Sequence, residues 1–318
     1  GVFEIGMNHP GEISTLVKMV KPSVALITTV VGAHTEFFKD EAEIAMAKAE
    51  IFDGLESDGA VILNRDNMHY FALARRAKEL GLGNIKCFGT DAMANYRLFE
   101  ANIVTDGSAV RARIGGRDLE YFIGCPGEHW VLNSLAVLGC VDAIGADPLR
   151  AAQDLADVTP PAGRGEISTV KVPSGDGTFT LIDDAYNANP TSMMAGIKVL
   201  SQTKPGDGGR KIAILGDMRE LGDDAVRLHA DLHQPLTALE IDRVYCVGPL
   251  MAELDKTLPE DKNAGHFDTA EDAIEPIKAD LRSGDVVLVK GSLGIYVSKI
   301  VSALKSCGVV DSPAETQN

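Results

Sequence analysis

The chain has 318 residues, enough for two domains of ordinary size, each with its own core. Its 30 lysines and arginines stand against 46 aspartates and glutamates, and the net charge of −16 argues against nucleic acid or an anionic membrane as the main partner. Hydrophobic residues make up 45% of the sequence, as in soluble globular proteins, and no apolar run reaches the roughly 20 residues that span a bilayer.

The five cysteines are widely spaced and form no C-x-x-C pair. This usage is typical of reduced thiols in a cytoplasmic protein and not of disulfides or a zinc site. The cysteines are Cys87, Cys125, Cys140, Cys246 and Cys307. We expect no signal peptide, and because an initiator methionine is lacking we expect the chain to be a piece of a longer protein.

The first half alternates strand-like and helix-like segments, which predicts βαβ units and a mainly parallel sheet. The predicted strands are Val2–Gly6, Val24–Val30, Ala60–Asn64 and Ile85–Gly89. The predicted helices are Gly11–Val20, Glu41–Leu55, Met68–Leu80 and Glu128–Ile144. Between Tyr96 and Ile123, short alternating runs with Asp-Gly and Gly-Gly turns predict antiparallel hairpins.

A proline- and glycine-rich linker at Val158–Gly165 precedes a second α/β rhythm, so we predict domains over residues 1–160 and 161–318. The predicted strands of the second domain are Ile167–Val172, Thr178–Ile182, Lys211–Leu215, Arg243–Val247 and Asp285–Val289. Its predicted helices are Thr191–Ser201, Asp223–Leu239, Ala270–Leu281 and Ile295–Leu304. The predicted fold class is therefore α/β, with a mainly parallel sheet plus antiparallel hairpins in the first domain and a second α/β domain after the linker.

Two adjacent carboxylates, Asp183 and Asp184, follow the strand Thr178–Ile182 directly. Ligands of open α/β sheets bind beyond the carboxyl ends of strands, so paired acids at this position indicate a polyol or metal contact. The alternative is a turn followed by a helix N-cap, because an Asn/Pro/Thr/Ser segment comes next.

Lys48 falls in the middle of the apolar stripe Ile44, Ile51 and Leu55 of a predicted helix. An ammonium group desolvated there could lose its proton, react with carbon dioxide and become an anionic carbamate. Alternatively, its stem lies on apolar surface while its head reaches water.

Glu4 interrupts an apolar strand-like run, and His34 follows the buried run Val24–Val31 at a predicted strand end. Glu4, His34 and a carbamate at Lys48 together are ligands that suit Mg²⁺ with waters and substrate oxygens. An outward-facing Glu4 at a sheet edge and a structural His34 are the alternatives.

Four further polar residues follow strands, open a helix or lie in the linker. The guanidinium of Arg164 could fork onto phosphate, or it is a linker cation. Asn133 could offer its amide to a base edge, or it packs on a helix face. Lys290 and Ser292 form a strand-to-loop turn, as does Leu215–Gly222. The sequence holds no G-x-x-x-x-G-K-[ST] loop and no G-x-S-x-G elbow.

The stretches Phe3–Ile13, Asp184–Pro190 and Leu215–Gly222 resemble those of the Mur ligase family, the ATP-dependent amide-bond-forming enzymes of peptidoglycan synthesis, over nearly all of the chain. The resemblance implies the later part of a central ATPase domain, followed by a Rossmann-like ligase domain. Within the family, the first two stretches most resemble those of ligases with a dipeptide acceptor, which implies an enzyme that adds D-alanyl-D-alanine to UDP-N-acetylmuramoyl-tripeptide through an acyl phosphate. The chain then begins after the P-loop half, and we expect the isolated piece not to turn over.

The resemblance also implies the site residues, with ATP and Mg²⁺ as cofactors. The implied magnesium ligands are Glu4, His34 and a carbamylated Lys48; the implied catalytic residues are Lys48, His34 and Arg164. Asn133 would face the adenine, Arg164 the ATP phosphates and Asp184 the ribose, with Asn187 beside the nucleotide. Lys290 and Ser292 would contact the peptide substrate. We expect a cytoplasmic monomer that neither binds nucleic acid nor inserts into a membrane.

Three alternatives remain open at this point. The chain could belong to a Mur ligase with another acceptor, or to a folylpolyglutamate synthase-like ligase. The lack of a P-loop would also permit a non-catalytic nucleotide-binding module.

Overall fold

The computed structural model describes residues 1–32, 37–104, 106–173 and 175–310, and the chain divides into two compact units, residues 1–158 and 159–318. The strands of unit 1 are β1 (Val24–Ile27), β2 (Ala60–Asn64), β3 (Asn84–Gly89), β4 (Tyr96–Val104), β5 (Gly107–Ile114) and β6 (Arg117–Ile123). Its helices are α1 (Glu12–Val20), α2 (Glu41–Ala49), α3 (Tyr70–Glu79), α4 (Glu128–Ala143) and α5 (Pro148–Asp154).

The strands of unit 2 are β7 (Glu166–Lys171), β8 (Thr178–Asp184), β9 (Lys211–Gly216), β10 (Arg243–Val247), β11 (Asn263–Phe267), β12 (Val286–Lys290) and β13 (Val309–Val310). Its helices are α6 (Pro190–Gln202), α7 (Ala225–Ala230), α8 (His233–Ala238), α9 (Ala252–Asp255), α10 (Ala270–Asp280) and α11 (Ser298–Lys305). The predicted α/β class is confirmed.

Unit 1 is built on a six-stranded sheet in the order β1-β2-β3-β4-β5-β6. The first four strands are parallel and the last two are antiparallel, as the hairpin signals predicted. Residues of α1, α2 and α3 pack on one face of the parallel strands, and α4 packs on the other. Gly139 in α4 allows close approach of the Tyr96 ring, since a Cβ at this position would lie 2.7 Å from it.

Unit 2 is built on a seven-stranded sheet in the order β11-β10-β9-β12-β8-β7-β13. β12 comes late in the chain but lies between β8 and β9, parallel to both. Apolar residues of α6, α8 and α9 pack on one face of this sheet, whereas those of α10 and α11 pack on the other. The strands in the middle are covered on both sides, and β12 is buried along its whole length.

The predicted strand Val2–Gly6 is wrong, because residues 1–7 have no regular secondary structure. Val2, Phe3 and Glu4 are exposed, and a strand needs a neighbour to satisfy its backbone groups. The sequence reading also missed β11 and β13. β11 is an edge strand with a register shift, and Asn263 and Gly265 lower its strand propensity.

The predicted helix Asp223–Leu239 is interrupted in the structure and forms the short helices α7 and α8. Pro235 explains the break, because proline lacks the N–H that would bond to the carbonyl of Asp231. The predicted helix Glu41–Leu55 likewise ends as α2 at Ala49 and continues as a 3₁₀ segment, Glu50–Gly54. α5 and α9 were not predicted.

No helix in the described part of the chain is both long and apolar enough to cross a bilayer.

We predict that Asp285→Ala strongly destabilises unit 2. The Asp285 side chain is 0% exposed, and its Oδ2 accepts from Nη2 of Arg210 at 2.8 Å and from the backbone N–H of Arg282 at 2.9 Å. Removing one partner of a buried ion pair typically costs about 3–5 kcal/mol. Urea unfolding should therefore show a much lower midpoint for this variant.

The matched control is Asp224→Ala, which removes an exposed partner of Arg227 in the same unit and should leave the midpoint unchanged. Equal midpoints for the two variants would contradict the importance of the buried pair.

Candidate functional site

β8, β12 and β9 are neighbouring strands in the unit 2 sheet, and their carboxyl ends therefore lie side by side at one end of the sheet. The connection after β8 runs to α6 on one face, and the connection after β12 runs to α11 on the opposite face. Neighbouring connections that leave to opposite faces create a crevice at the carboxyl ends of the strands, which is where open α/β sheets bind ligands. The polar residues at these strand ends are therefore the candidate site.

Lys290 and Asp184 form an ion pair at this edge. The two residues are directly opposite in the β12–β8 register, and the Lys290 Nζ lies 2.8 Å from the Asp184 Oδ2. Nζ also donates to the carbonyl of Asn187 at 2.9 Å. Burial raises the pKa of Asp184, and the Lys290 ammonium opposes that rise. The lysine thus favours the ionised carboxylate in a largely desolvated position.

Ser292 joins the loops that follow β8 and β9. Its Oγ donates to the carbonyl of Ala188 at 3.3 Å and accepts from the backbone N–H of Arg219 at 3.0 Å. Its own backbone N–H donates to the carbonyl of Asp217 at 3.0 Å. Ser292 is buried, and its hydroxyl and backbone N–H bind within the chain, whereas the resemblance implied a contact to the peptide substrate.

Asp217 is a buried carboxylate that the sequence reading left without a role. It accepts backbone N–H groups of Met251 at 2.8 Å and Leu250 at 3.2 Å, which ties the loop after β9 to the loop after β10. Burial raises the pKa of Asp217, whereas these two hydrogen bonds lower it. Nearby, the Nε2 of His229 accepts from the N–H of Met218 at 2.9 Å, and burial lowers the pKa of this imidazole.

The linker brings Arg164 onto the loop after β8. The N–H of Tyr186 donates to the carbonyl of Gly163 at 3.0 Å, and the N–H of Gly165 donates to that of Asp183 at 2.8 Å. The guanidinium carbon of Arg164 lies 4.4 Å from the centroid of the Tyr186 ring, within the range of a cation–π contact. Arg164 itself is exposed.

The two adjacent acids have different environments. Asp183 is buried, and its Oδ2 lies 3.4 Å from the Nζ of Lys305 on α11. Asp184 lies on the opposite face of the strand, beside α6. Neither caps the helix: Asn189 is the N-cap of α6 and forms a capping box with Ser192. The alternative of a turn with an N-cap therefore applies to Asn189, and Asp184 is left for the site.

In unit 1, Lys48 has the anomalous position that its sequence predicted. The side chain is half-buried on α2, and burial lowers the pKa of its ammonium group. Within the described ranges, the side chain of Lys48 has no hydrogen-bond or ion-pair partner. Nearby in sequence, Glu50 accepts the N–H groups of Gly11 at 2.7 Å and Ser14 at 3.0 Å, which caps the N-terminus of α1.

The other predicted residues of unit 1 are not brought into one described cluster. Glu4 is exposed, and Asn133 is half-buried on α4. His34 lies outside the described residues. Among the residues that the structure describes, no group of three or more His, Cys, Asp or Glu side chains is placed to hold a metal ion. A cavity of about 380 Å³ beside the β5–β6 turn is lined by none of the predicted site residues.

Comparison with known proteins shows two matching family models: the Mur ligase middle domain over residues 1–141, and the Mur ligase glutamate ligase domain over residues 163–293. The chain belongs to the Mur ligase family. The UDP-N-acetylmuramoyl-tripeptide–D-alanyl-D-alanine ligase of Rickettsia prowazekii is 33% identical over 300 residues, which cover 94% of this chain and 65% of that protein. The chain therefore spans slightly less than two thirds of this relative's length.

Solved Mur ligase structures have the same fold. MurF from Acinetobacter baumannii matches with a TM-score of 0.84 at 26% identity, covering 96% of this chain and 64% of that one. MurF from Thermotoga maritima, in complex with ADP, matches with a TM-score of 0.78 at 23% identity, covering 94% and 65%.

We predict that Lys48→Met stabilises this Mur ligase chain at neutral pH. Because burial lowers the pKa of Lys48, the unfolded chain binds more protons here than the folded chain between the folded pKa and the ordinary lysine pKa of about 10.5. The wild type thus gains stability as pH rises through that window, and the variant does not. The advantage of the variant should shrink toward pH 10.5, as measured by urea unfolding in buffer freed of carbon dioxide.

Lys18→Met, at an exposed position of α1, is the matched control and should leave the unfolding midpoint unchanged. A Lys48→Met variant less stable than the wild type at pH 7 would show that the ammonium is better solvated than its burial indicates.

Proposed function

We propose that the chain is the ATP-binding and ligase part of a cytoplasmic enzyme that joins D-alanyl-D-alanine to UDP-N-acetylmuramoyl-tripeptide in peptidoglycan precursor synthesis. One observation carries the proposal. The Asp184–Pro190 motif, typical of this member, forms an internally braced loop at the carboxyl edge of unit 2. Relatives that match nearly the whole chain carry the name of this activity, and one of the similar structures holds ADP.

The proposed reaction proceeds in two steps. The γ-phosphoryl group of ATP passes to the terminal carboxylate of the tripeptide, which gives an acyl phosphate and ADP. The amine of D-alanyl-D-alanine then attacks the acyl carbon, the C–N bond forms, and inorganic phosphate leaves with the C–O electron pair and takes up the proton that the nitrogen loses. The protein contributes mainly position and charge neutralisation.

In unit 2, we assign Arg164 to the ATP phosphates and as a catalytic residue, because its exposed guanidinium is held over Tyr186. A planar cation with five donors suits phosphoryl oxygens. We assign Asp184 to the ribose hydroxyls and the neighbouring Asn187 to the nucleotide. The Asn187 side chain is exposed and accepts the N–H of Ala188 at 2.8 Å, which fixes its orientation.

In unit 1, we assign Asn133 to the adenine, and Glu4, His34 and Lys48 to Mg²⁺, with Lys48 and His34 also catalytic. The donor set fits the ion: Glu4 is an exposed carboxylate, and Lys48, once carbamylated, would add an anionic oxygen. Magnesium when bound would neutralise charge on the phosphoryl oxygens. The contribution of the chain itself is a desolvated amine whose lowered pKa favours the neutral form that reacts with carbon dioxide.

We predict that this chain, tested together with the further third of length that its relatives have, releases ADP and phosphate only with D-alanyl-D-alanine as the amine acceptor. The measurement is ADP release with UDP-N-acetylmuramoyl-tripeptide and a panel of D-alanyl-D-alanine, D-alanine, D-glutamate and L-glutamate. Activity with a single amino acid would favour another Mur ligase or a folylpolyglutamate synthase-like enzyme. No release with any of these amines would contradict the proposed function.

We also predict that Lys48 is carbamylated in the active enzyme. Incubation with ¹³C-bicarbonate should give a carbamate carbonyl signal in the NMR spectrum of the wild type and none in Lys48→Ala. Ligation by the wild type should fall after removal of carbon dioxide and recover with bicarbonate, whereas Lys48→Ala should be slow under both conditions. A Lys48→Ala variant that ligates at the wild-type rate would remove Lys48 from the mechanism.

A further inference from the structure

Lys290 is a charged residue in a position that leaves it little access to a substrate. Its side chain is 2% exposed, at the end of the central strand β12. A buried ammonium is costly unless it is paired and hydrogen-bonded. Both requirements are met within the chain, by the carboxylate of Asp184 at 2.8 Å and the carbonyl of Asn187 at 2.9 Å.

A glycine on the neighbouring helix leaves space for the Lys290 side chain. Gly196 lies within α6, where glycine costs about 1 kcal/mol relative to alanine. A Cβ at Gly196 would lie 3.1 Å from the Lys290 Cδ and 3.3 Å from the Asp184 Oδ2. The missing methyl group therefore leaves room for the lysine stem and for the carboxylate together.

Lys290, the last residue of β12, and Ser292, just beyond it, contact the end of β8 and the loop that follows it at three points. Lys290 holds the side chain of Asp184 and the carbonyl of Asn187, and Ser292 holds the carbonyl of Ala188. Between these points, Tyr186 is exposed and carries the guanidinium of Arg164. The lysine thus lies beneath the loop, whereas the groups of unit 2 that are assigned to the nucleotide lie on the loop or against it.

We propose that Lys290 is a positioning residue, which shapes the Asp184–Asn189 loop and holds Asp184 as an anion for nucleotide binding, and not a contact to the peptide substrate. This inference rests on the proposed function, in which Asp184 contacts the ribose. If Lys290 acts through Asp184, its loss leaves the carboxylate half-buried and without its cation, which favours the protonated form.

The experiment measures binding of a non-hydrolysable ATP analogue and steady-state kinetics on the full-length enzyme with Lys290→Met, Asp184→Asn and the double variant. We expect each single change to weaken nucleotide binding about tenfold or more, and the double variant to be no weaker than the worse single one, as for residues that act as a unit. KM for D-alanyl-D-alanine should stay unchanged in Lys290→Met. Its nucleotide affinity should also fall as pH is lowered toward neutrality, where the wild type stays constant.

The matched control is Lys305→Met, which removes the cation beside the neighbouring acid Asp183 and should leave nucleotide affinity unchanged. Gly196→Ala provides a second test that keeps both charges, and it should weaken nucleotide binding even if Lys290→Met fails to fold. A raised KM for the dipeptide with unchanged nucleotide affinity in Lys290→Met would overturn the proposal, as would additive losses in the double variant.

The two proposals can fail separately. A wild-type enzyme that binds the nucleotide analogue but does not ligate D-alanyl-D-alanine would contradict the proposed function, and the nucleotide measurements would still decide the role of Lys290. A wild-type enzyme that binds no nucleotide would overturn both.

Discussion

The insertion of β12 between β8 and β9 is the constraint on which the candidate site depends. Backbone ladders on both sides hold β12 in a fixed register, and this register places Lys290 opposite Asp184. The same insertion brings Ser292 to the loops after β8 and β9. A strand at the edge of the sheet would have only one neighbouring strand. The central position of β12 lets Lys290 support the loop after β8 and lets Ser292, just beyond the strand, contact the loops after both β8 and β9.

The polar groups of Lys290 and Ser292 can be buried at the end of β12 because each of them has a hydrogen-bond or ion-pair partner. Leu288 and Val289 are fully buried and apolar, yet Lys290 follows them directly. The ammonium has an anion and a carbonyl, and the hydroxyl of Ser292 both donates and accepts. Satisfied polar groups in a low-dielectric interior fix one arrangement, since any shift would leave a desolvated charge unpaired. These polar contacts, together with the buried side chains of Ala185 and Ala188, therefore define the position of the loop after β8.

Much of the fold could be predicted from local patterns, whereas the site depends on contacts between distant parts of the chain. Hydrophobic periodicity located the core strands and the hairpins, and the position of Lys48 on an apolar stripe indicated its desolvation. The segment Val2–Gly6 was misread because its apolar residues imply a strand only if a neighbour is present. Pro235 carried a signal that could have divided the predicted helix Asp223–Leu239. The pairing of Lys290 with Asp184 could not be predicted from the sequence, because it depends on β12 lying beside β8, and the order of strands in a sheet is not set by local sequence.

The alternation of side chains along a strand explains why the adjacent residues Asp183 and Asp184 have different partners. Successive side chains of a strand point to opposite faces, so Asp183 faces the α11 side and Asp184 the α6 side. On the first side a lysine from a helix, Lys305, neutralises the acid. On the second side the cation comes from the neighbouring strand, and the glycine at position 196 opens the space for it. Of the two adjacent acids, Asp183 therefore links α11 to the sheet, and Asp184 lies on the side of the crevice. A one-residue shift in the register of β8 would exchange the faces on which the two side chains lie.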